Sequence, residues 1–391
     1  MTKVMRAIAV LFGLIGIGSS ALAQEWTLTS APADHWHSIA CSADGSRIVT
    51  AVGNDYSGPI ITSTNFGVTW ETNDSPRKYW NSVASSADGR ILAAAVSGFD
   101  AGIYISTNGG QNWFVSGAPP KFWTSVACSA DGTKLVAAAR MDSSFSPDLI
   151  YRSTDSGQTW VSNNTPPYYW NYVVTSADGS RLIASVEGGP VYTSVDFGTT
   201  WVSNSLPNAW WIVTCSGDGN TMLAAVVGGP ILVSTNSGTT WTASSAPTNY
   251  WFALAASADG STLVGAGNYG GGIYTSKDFG NSWISNGAPS LSWQGLASSA
   301  DGAKLAAAGW GNGIYTSQST PTPLLKVTSV SANQMMLSWT VPSANFVLQQ
   351  TTDLSPNNWS DLPAAPIQTN FQNQVIITPS GTRNFFRLKS F

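Results

Sequence analysis

The sequence predicts an all-β protein, a seven-bladed β-propeller closed by exchange of its N-terminal strand and followed by a small C-terminal β-sandwich. Three observations predict this fold. A unit of roughly forty residues, clearest between Trp251 and Trp283, alternates short apolar runs with tight turns. The unit recurs seven times. The piece missing from the last unit stands near the start of the chain.

Each unit contains four short strands. In the clearest copy the first three are predicted at Phe252–Ser257, Thr262–Ala266 and Gly272–Ser276, and the fourth comes after Trp283. Runs of four to six residues separated by Asp-Gly and Gly-rich turns are typical of antiparallel hairpins and leave no room for a helix. A four-strand meander of this length is the size of a propeller blade.

Two turn motifs mark the units. The first, S-x-D-G, occurs seven times, with its Asp at Asp44, Asp88, Asp131, Asp178, Asp218, Asp259 and Asp301. A Trp precedes each of these by eight residues, at Trp36, Trp80, Trp123, Trp170, Trp210, Trp251 and Trp293. The second, S-x-[DN]-x-G-x-x-W, occurs six times, with its third position at Asn65, Asn108, Asp155, Asp196, Asn236 and Asp278.

The seventh unit lacks the second motif, and the N-terminal segment resembles the stretch that comes directly after this motif in the other units. Trp26 lies ten residues before Trp36, as Trp70 does before Trp80. The N-terminal strand is therefore predicted to complete the unit whose first three strands lie within Trp293–Ser317. Such closure pairs the first strand with the last and leaves no exposed sheet edge. The propeller is predicted to span residues 24–320.

The second motif resembles the Asp-box (BNR) repeat of the sialidase-like propeller superfamily, over residues 24–320. The resemblance implies a structural hairpin at the rim of each blade. The residue types fit that role, since a short acceptor caps the turn, Gly accepts a left-handed conformation and Trp buries a large ring. Asn replaces Asp in three boxes, so the acceptor matters and the charge does not. The box residues are predicted to be structural.

Because strand direction alternates, the connections separate onto two sides of the propeller. We call the side with the S-x-D-G turns and Asp boxes the turn face. The opposite side, the loop face, carries the links between units and the variable loops at Asn54–Pro59, Ser97–Ala101, Arg140–Asp148, Glu187–Pro190, Gly228–Pro230, Asn268–Gly272 and Trp310–Asn312. Variable loops on a rigid scaffold are where function concentrates, so a site is expected there.

Aromatic residues accompany the repeated Trp on the loop face. The seven Trp are predicted to be core rather than sugar-stacking platforms, because a ring present in every unit is more often packing. Less uniform neighbours are the predicted contacts with a ligand: His35, Tyr79, Phe122, Tyr169, Trp211 and Tyr250, with Arg77 and Arg140.

A sialidase function finds little support. The resemblance implies three arginines, a Tyr–Glu pair and an Asp acid, but Arg47, Arg90, Arg181, Lys134 and Lys304 come after S-x-D-G turns, where they are expected to be solvated, and Arg152 falls within a third strand. Another glycosidase would need two carboxylates about 5–9.5 Å apart. Candidates on the loop face are Asp55, Asp100, Asp142, Asp148 and Glu187. No catalytic residue is assigned, and a glycoside hydrolase stays the alternative.

The repeat stops after Pro323. Strands are predicted at Leu325–Val330, Gln334–Thr340, Asn345–Thr351, Gln374–Thr378 and Asn384–Leu388. The run from Leu337 to Pro342 resembles the second strand of a fibronectin type III-like sandwich, so residues 321–391 are predicted to form such a module. A spacer or a cap on the propeller stays open.

The N-terminus predicts export. Lys3 and Arg6 precede an apolar run that is too short to span a bilayer, and the A-x-A ending predicts a signal peptide, residues 1–23, cut after Ala23. The protein is expected to be secreted, periplasmic or on the cell surface.

The cysteines and the charge exclude several classes of site and partner. Cys41, Cys128 and Cys215 occupy one strand position in non-adjacent units, too far apart to form a disulfide. No metal or other cofactor is predicted. The charge of −4, without a basic run, makes nucleic acid and membrane poor partners.

The sequence therefore predicts a monomeric, non-catalytic binding protein that presents its loop face to a glycan or a protein. A glycoside hydrolase and an envelope or photosystem-type assembly factor are the alternatives.

Overall fold

The structure is a computed structural model that divides into two compact units, Ala23–Ser319 and one containing Thr320–Phe391. The first is described at residues 26–53, 56–98, 101–142, 144–204 and 210–319, and the second at residues 325–331, 334–340, 346–352, 358–362, 366–369, 372–378 and 384–390. The predicted signal peptide, residues 1–23, lies outside these ranges. The described residues include no helix, and so none that is long and apolar enough to cross a membrane.

The first unit is built entirely of short strands. In chain order they are β1 (Trp26–Leu28), β2 (Asp34–Cys41), β3 (Ile48–Val52), β4 (Ile60–Ser63), β5 (Glu71–Thr72), β6 (Trp80–Ser85), β7 (Leu92–Val96), β8 (Ile103–Ser106), β9 (Phe114–Val115), β10 (Phe122–Cys128), β11 (Leu135–Met141), β12 (Ile150–Ser153), β13 (Val161–Ser162), β14 (Trp170–Thr175), β15 (Leu182–Val186), β16 (Val191–Ser194), β17 (Val202–Asn204), β18 (Trp210–Cys215), β19 (Met222–Gly229), β20 (Ile231–Ser234), β21 (Thr242–Ala243), β22 (Asn249–Ala256), β23 (Leu263–Gly267), β24 (Ile273–Ser276), β25 (Ile284–Ser285), β26 (Trp293–Ser298), β27 (Lys304–Asn312) and β28 (Ile314–Gln318).

Every repeat is an antiparallel meander in which consecutive strands pair. The four-strand sets are β2–β5, β6–β9, β10–β13, β14–β17, β18–β21 and β22–β25. The second strands are continuous buried runs such as Leu92–Val96, because neighbouring repeats cover both of their faces. The fourth strands are two or three residues long and mostly exposed.

The last repeat takes its fourth strand from the N-terminus. β26, β27 and β28 pair in order, and β1 then pairs with β28, placing Trp26 opposite Ser317 and Leu28 opposite Tyr315. The first strands also contact one another in succession, and β26 contacts β2.

Backbone hydrogen bonds between the S-x-D-G turns run along the same circuit. The donor N–H and acceptor carbonyl pairs are Ala43–Ala87, Ala87–Ala130, Ala130–Ala177, Ala177–Gly217, Asp218–Ala258, Ala258–Ala300 and Ala300–Ala43, at 2.7–2.9 Å. Seven turns are thus linked in a ring that returns to its start.

The repeated Trp residues form the core between repeats. Trp36, Trp80, Trp123, Trp170, Trp251 and Trp293 are at most 1% exposed, and the side chain of Trp210 lies outside the described part of the chain. Most of the six meet a Tyr of the third strand edge to face, as Trp80 meets Tyr104 with ring centroids 5.3 Å apart. The predicted packing role is confirmed for these six.

The basic residues after the S-x-D-G turns are not simply solvated, so that expectation is wrong for three of them. Lys134 Nζ donates to Asp178 O at 2.7 Å, Arg181 to Asp218 O at 3.2 Å, and Lys304 Nζ to Asp44 O at 3.0 Å. Each side chain therefore reaches the turn of the next repeat and adds a link between neighbours.

The second unit consists of two antiparallel sheets. Its strands are β29 (Lys326–Ser331), β30 (Gln334–Thr340), β31 (Phe346–Thr351), β32 (Ser360–Asp361), β33 (Ile367–Thr369), β34 (Gln372–Ile377) and β35 (Phe385–Ser390). The sheet orders are β29-β30-β34-β33 and β32-β31-β35, and Leu337 and Trp339 of one share an apolar cluster with Leu348 of the other. The two short strands β32 and β33 were not predicted, because two or three residues between Pro and Asn carry no alternation.

Candidate functional site

The six S-x-[DN]-x-G-x-x-W turns, for which we keep the short name Asp box, lie on the turn face and have the geometry of structural turns. In all six, the side-chain oxygen of the Asp or Asn accepts the backbone N–H four residues later, at 2.8–3.0 Å; the acceptors are Asn65, Asn108, Asp155, Asp196, Asn236 and Asp278. The hydroxyl and backbone N–H of Thr159 lower the pKa of Asp155 to about 2, so this carboxylate does not act as a proton donor. Neutral Asn makes the same bond, which fits a structural role.

Exposed aromatic side chains concentrate on the loop face. Of the eight exposed Tyr and Phe side chains among the described residues, seven belong to loops or inter-repeat links of this face: Tyr56, Tyr79, Phe145, Tyr168, Tyr169, Tyr250 and Tyr269. The eighth, Phe114, lies in the outer strand β9. Three of the seven, Tyr79, Tyr169 and Tyr250, were predicted as contacts with a ligand.

At the seam between the first and last repeats, three rings form a cluster. His35 stacks on Tyr56 with ring centroids 3.7 Å apart, and Trp310 meets His35 edge to face at 5.0 Å. Strand β2 of the first repeat also pairs with β27 of the last repeat, and this pairing places His35 opposite Trp310. The predicted contact His35 is thus half-buried among rings, and Tyr56 presents the more open surface.

The second repeat contributes an exposed basic segment. Arg77, Lys78 and Tyr79 are all exposed, and neither cation forms an ion pair with a described residue. Gly58 and Lys78 exchange backbone hydrogen bonds of 3.0 and 3.3 Å, which fixes this segment beside the loop that carries Tyr56. The predicted contact Arg77 is therefore accessible.

Between the third and fourth repeats, the charged side chains pair with one another. Lys121 Nζ lies 2.7 Å from Asp148 Oδ2, and Tyr151 donates to Asp148 at 3.2 Å. Arg140 Nη2 lies 2.5 Å from Glu187 Oε2. The guanidinium group of Arg140 also lies over the ring of Tyr169, with its carbon 6.0 Å from the ring centroid. The predicted contact Arg140 is therefore engaged within the protein.

Phe145 and Tyr269 stand out by their backbone conformation. Their φ angles are +60° and +52°, and their side chains are 64% and 80% exposed. The other described non-Gly residues with positive φ all belong to Asp boxes. Tyr269 meets Tyr250 edge to face with centroids 5.8 Å apart. A large apolar residue rarely adopts this region, so both loops hold their rings outward against a conformational cost.

Of the other predicted contacts, one is half-buried and one is not tested. Phe122 is half-buried in β10, opposite Met141. The Trp211 side chain lies outside the described part of the structure.

A cavity of about 270 Å³ runs among the first strands of the seven repeats. His37, Asn81 and Gln294 contribute polar groups to its wall.

The three cysteines, Cys41, Cys128 and Cys215, are free thiols, which confirms the prediction that they do not form disulfides. Burial raises the pKa of each thiol to about 12. Thiols held neutral in this way are inert at neutral pH.

The carboxylates considered for a hydrolase are bonded within the protein wherever the structure describes them. Asp148 and Glu187 are the ion-pair partners of Lys121 and Arg140. Asp142 accepts the N–H of Ser144 and of Ser146 at 2.8 and 3.0 Å, and these bonds lower its pKa. Asp55 and Asp100 lie outside the described residues. Within the described ranges, no group of three or more His, Cys, Asp or Glu could hold a metal ion.

Several aromatic residues of the loop face were not predicted from the sequence: the exposed Tyr56, Phe145, Tyr168 and Tyr269, and the half-buried Trp310. Four of them belong to the variable loops between second and third strands, and Tyr168 precedes Tyr169 in an inter-repeat link. The signal that could have identified the four is one large aromatic residue in an otherwise small and polar loop.

Many solved structures have a similar fold. The β-propeller domain of Cps50 (Swd1) from Myceliophteria thermophila superposes with a TM-score of 0.58 at 14% identity, covering 76% of this chain and 100% of that chain. Hydrazine synthase of Kuenenia stuttgartiensis gives 0.59 at 14% identity, covering 75% and 97%. YCF48 bound to a D1 peptide gives 0.56 at 18% identity, covering 76% and 97%.

These likenesses show that the chain folds as a β-propeller and, at such identities, nothing about its activity. No protein-family model and no curated protein matches the sequence.

Proposed function

We propose that the protein is a non-catalytic binding propeller whose loop face docks a polypeptide partner. The observation that carries this proposal is the placement of seven of the eight exposed aromatic side chains on that one face. Tyr is enriched at protein interfaces, because a rigid ring supplies a large apolar contact and its hydroxyl can still form a hydrogen bond. The opposite face carries repeated turns with little variation on which specificity could be built.

The state of the polar groups favours binding over catalysis. A general acid or nucleophile must reach substrate with an available carboxyl group. Asp148 and Glu187 are instead ion-paired, and Asp142 is held ionised by two backbone N–H groups. These carboxylates therefore stabilise the loops.

A polypeptide is favoured over a glycan for a related reason. Sugar sites combine an aromatic platform with polar side chains that bond the hydroxyl groups. Around Tyr169 those polar side chains are already bonded to one another. A solved propeller of similar fold, YCF48, carries a bound peptide, which supports the same use of the scaffold in this chain.

The proposal includes the finer architecture. The N-terminal strand β1 seals a seven-bladed ring of the Asp-box type, and the two-sheet C-terminal unit is a fibronectin type III-like module. A signal peptide cut after Ala23 delivers a monomer to the periplasm, the cell surface or the medium. The pairing of β1 with β28 and the six box turns support the ring, and the core shared by β30 and β31 supports the C-terminal module. The signal peptide is supported by the sequence pattern of residues 1–23 alone.

The test uses the mature protein, residues 24–391, immobilised and exposed to the exported proteins of its host. A captured protein is identified, purified and titrated against the wild type and two variants. Combined replacement of Tyr79, Tyr169 and Tyr250 by Ala should weaken binding at least about tenfold, whereas the matched outer-strand variant Phe114→Ala should bind as the wild type does.

Three results would overturn the proposal. Equal affinity of the triple variant would place the contact elsewhere. Retention on a panel of polysaccharide columns, lost in the triple variant, would make the ligand a glycan. Turnover of a glycan panel that disappears in Glu187→Gln or Asp148→Asn would make the protein a hydrolase.

A further inference from the structure

We propose that one part of the loop face, between the third and fourth repeats, is a preformed platform for an extended, uncharged polypeptide segment. The platform consists of Phe145, Tyr168 and Tyr169, with Arg140 stacked beneath Tyr169. This inference rests on the proposed function and names the anchor residues and the chemistry of the partner.

The platform is fixed before any ligand arrives. Asp142 is bonded to two N–H groups of its own loop, and the Phe145 N–H donates to Asp142 O at 3.1 Å. The Tyr168 N–H donates to Asp148 O at 3.0 Å, which ties this loop to the next repeat.

Two further bonds secure Tyr169. Its hydroxyl donates to Phe145 O at 3.4 Å, and its own carbonyl accepts the Glu187 N–H at 2.9 Å. Three segments from two repeats are therefore fastened together. A surface that needs no ordering on binding loses less entropy, and more of its contact energy appears as affinity.

The charges around the platform oppose an acidic ligand and offer a basic one only a single unpaired carboxylate, Asp142, which already accepts two backbone N–H groups. Lys121 and Arg140 are neutralised by Asp148 and Glu187, and Asp142 is satisfied by backbone donors. An acidic ligand would meet no unpaired cation among these described residues, and the excess of one carboxylate opposes nucleic acid and anionic lipid. Aromatic surface is therefore the main feature available for recognition.

Such a surface matches the groups of an extended polypeptide without charged side chains. Aromatic-lined sites bind segments whose Pro, aliphatic or aromatic side chains pack between rings, and the backbone of such a segment needs few polar partners from the site. The exposed ring of Phe145 supplies the main apolar anchor, since truncation of central aromatic residues usually costs most at an interface.

The probe is a display library of unconstrained peptides, selected on the folded mature protein, with enriched peptides resynthesised and titrated. We expect uncharged sequences rich in Pro, aliphatic or aromatic residues. Phe145→Asn and Tyr169→Ala should each weaken them at least about tenfold. Asn tolerates positive φ, so Phe145→Asn removes the ring and keeps the loop conformation. Phe114→Ala and Tyr269→Ala are matched controls that should bind normally.

Some results would overturn the platform alone, and others would also overturn the proposed function. Enriched peptides that depend on Tyr79, Tyr250 or Tyr269, but not on Phe145, would overturn the platform and leave the proposed function standing. Peptides dominated by acidic or basic residues, or no enrichment on folded protein, would also overturn it. Binding to phosphatidylcholine vesicles that is lost in Phe145→Asn would show a lipid-contacting site instead. Binding to glycans alone would overturn both this inference and the proposed function.

Discussion

At the scale of single residues, the positive φ of Tyr269 is expected to lower the stability of the fold. A left-handed conformation costs an ordinary residue roughly 1–2 kcal/mol, and Asn pays less of that cost. We predict that Tyr269→Asn keeps the free energy of unfolding or raises it by up to about 1 kcal/mol. Urea unfolding measures the change. The matched variant Tyr250→Asn, at a position without positive φ, should give no gain, and a clear loss of stability in Tyr269→Asn would contradict the prediction.

The Asp box supplies a second prediction at this scale. At Asn236, replacement by Asp adds a negative charge and keeps the acceptor oxygen, whereas replacement by Ala removes the acceptor. Asn236 Oδ1 accepts the Thr240 N–H at 2.9 Å, as Asp278 accepts that of Ser282 at 2.8 Å. Asn236→Asp should leave the free energy of unfolding within about 0.5 kcal/mol of the wild type, whereas Asn236→Ala should lower it by about 1 kcal/mol, since the turn loses this hydrogen bond and the one that the Asn236 amide donates to the Thr240 hydroxyl. Chemical denaturation of both variants is the measurement, and equal losses in the two would show that charge matters after all.

At the scale of elements, four of the S-x-D-G turns make the stability of the fold depend on pH in the acid range. Burial raises the pKa of Asp301 in the last turn, so that turn does not contribute in the same direction. Burial opposes the charge of Asp44, Asp88, Asp131 and Asp178, but bonds from the turn's Ser hydroxyl and from backbone N–H groups lower the pKa of each. A carboxylate with a lowered folded-state pKa stabilises the fold above its unfolded value of about 3.9. That stability is lost as the pH falls through the folded-state pKa.

We therefore predict a thermal midpoint that is flat near neutral pH and falls below about pH 4. Scanning calorimetry from pH 7 to pH 2 tests this. Asp131→Asn, which keeps the acceptor and removes the titrating group, should fall less steeply than the wild type over the acid range. An identical pH profile in the variant would remove this turn from the explanation.

The elements also show which features of the fold and of the candidate site can be predicted from the sequence. Strand order, turns and the packing of Trp251 can be predicted from spacing, because every repeat obeys the same local chemistry. The stack of His35 on Tyr56 cannot, since it depends on how the first repeat meets Trp310 of the last. The outward rings of Phe145 and Tyr269 were missed for another reason: their exposure depends on backbone φ, which no apolar periodicity encodes.

At the scale of the whole molecule, three residues from the N-terminus complete the sheet of the last repeat. β1 pairs with β28, and Trp26 packs against Trp293 with ring centroids 6.3 Å apart. Without β1, the edge of β28 is unpaired and the apolar cluster around Trp293 is opened. We predict that a chain starting at Ala31 loses roughly 3 kcal/mol of unfolding free energy or more, by analogy with removal of a packed Trp, and aggregates through its free edge.

The decisive measurement is rescue in trans. A synthetic peptide of residues 24–33 should restore the thermal midpoint of the shortened chain in a concentration-dependent way, because binding to the folded state alone stabilises it by mass action. A scrambled peptide of the same composition should not, and Leu28→Ala in the full chain, at an exposed side chain of the same strand, should change little. If the shortened chain melted like the wild type, the ring would be held by the turn-to-turn hydrogen bonds alone. The β1 strand would then be a peripheral addition to a ring already closed by Ala300 and Ala43.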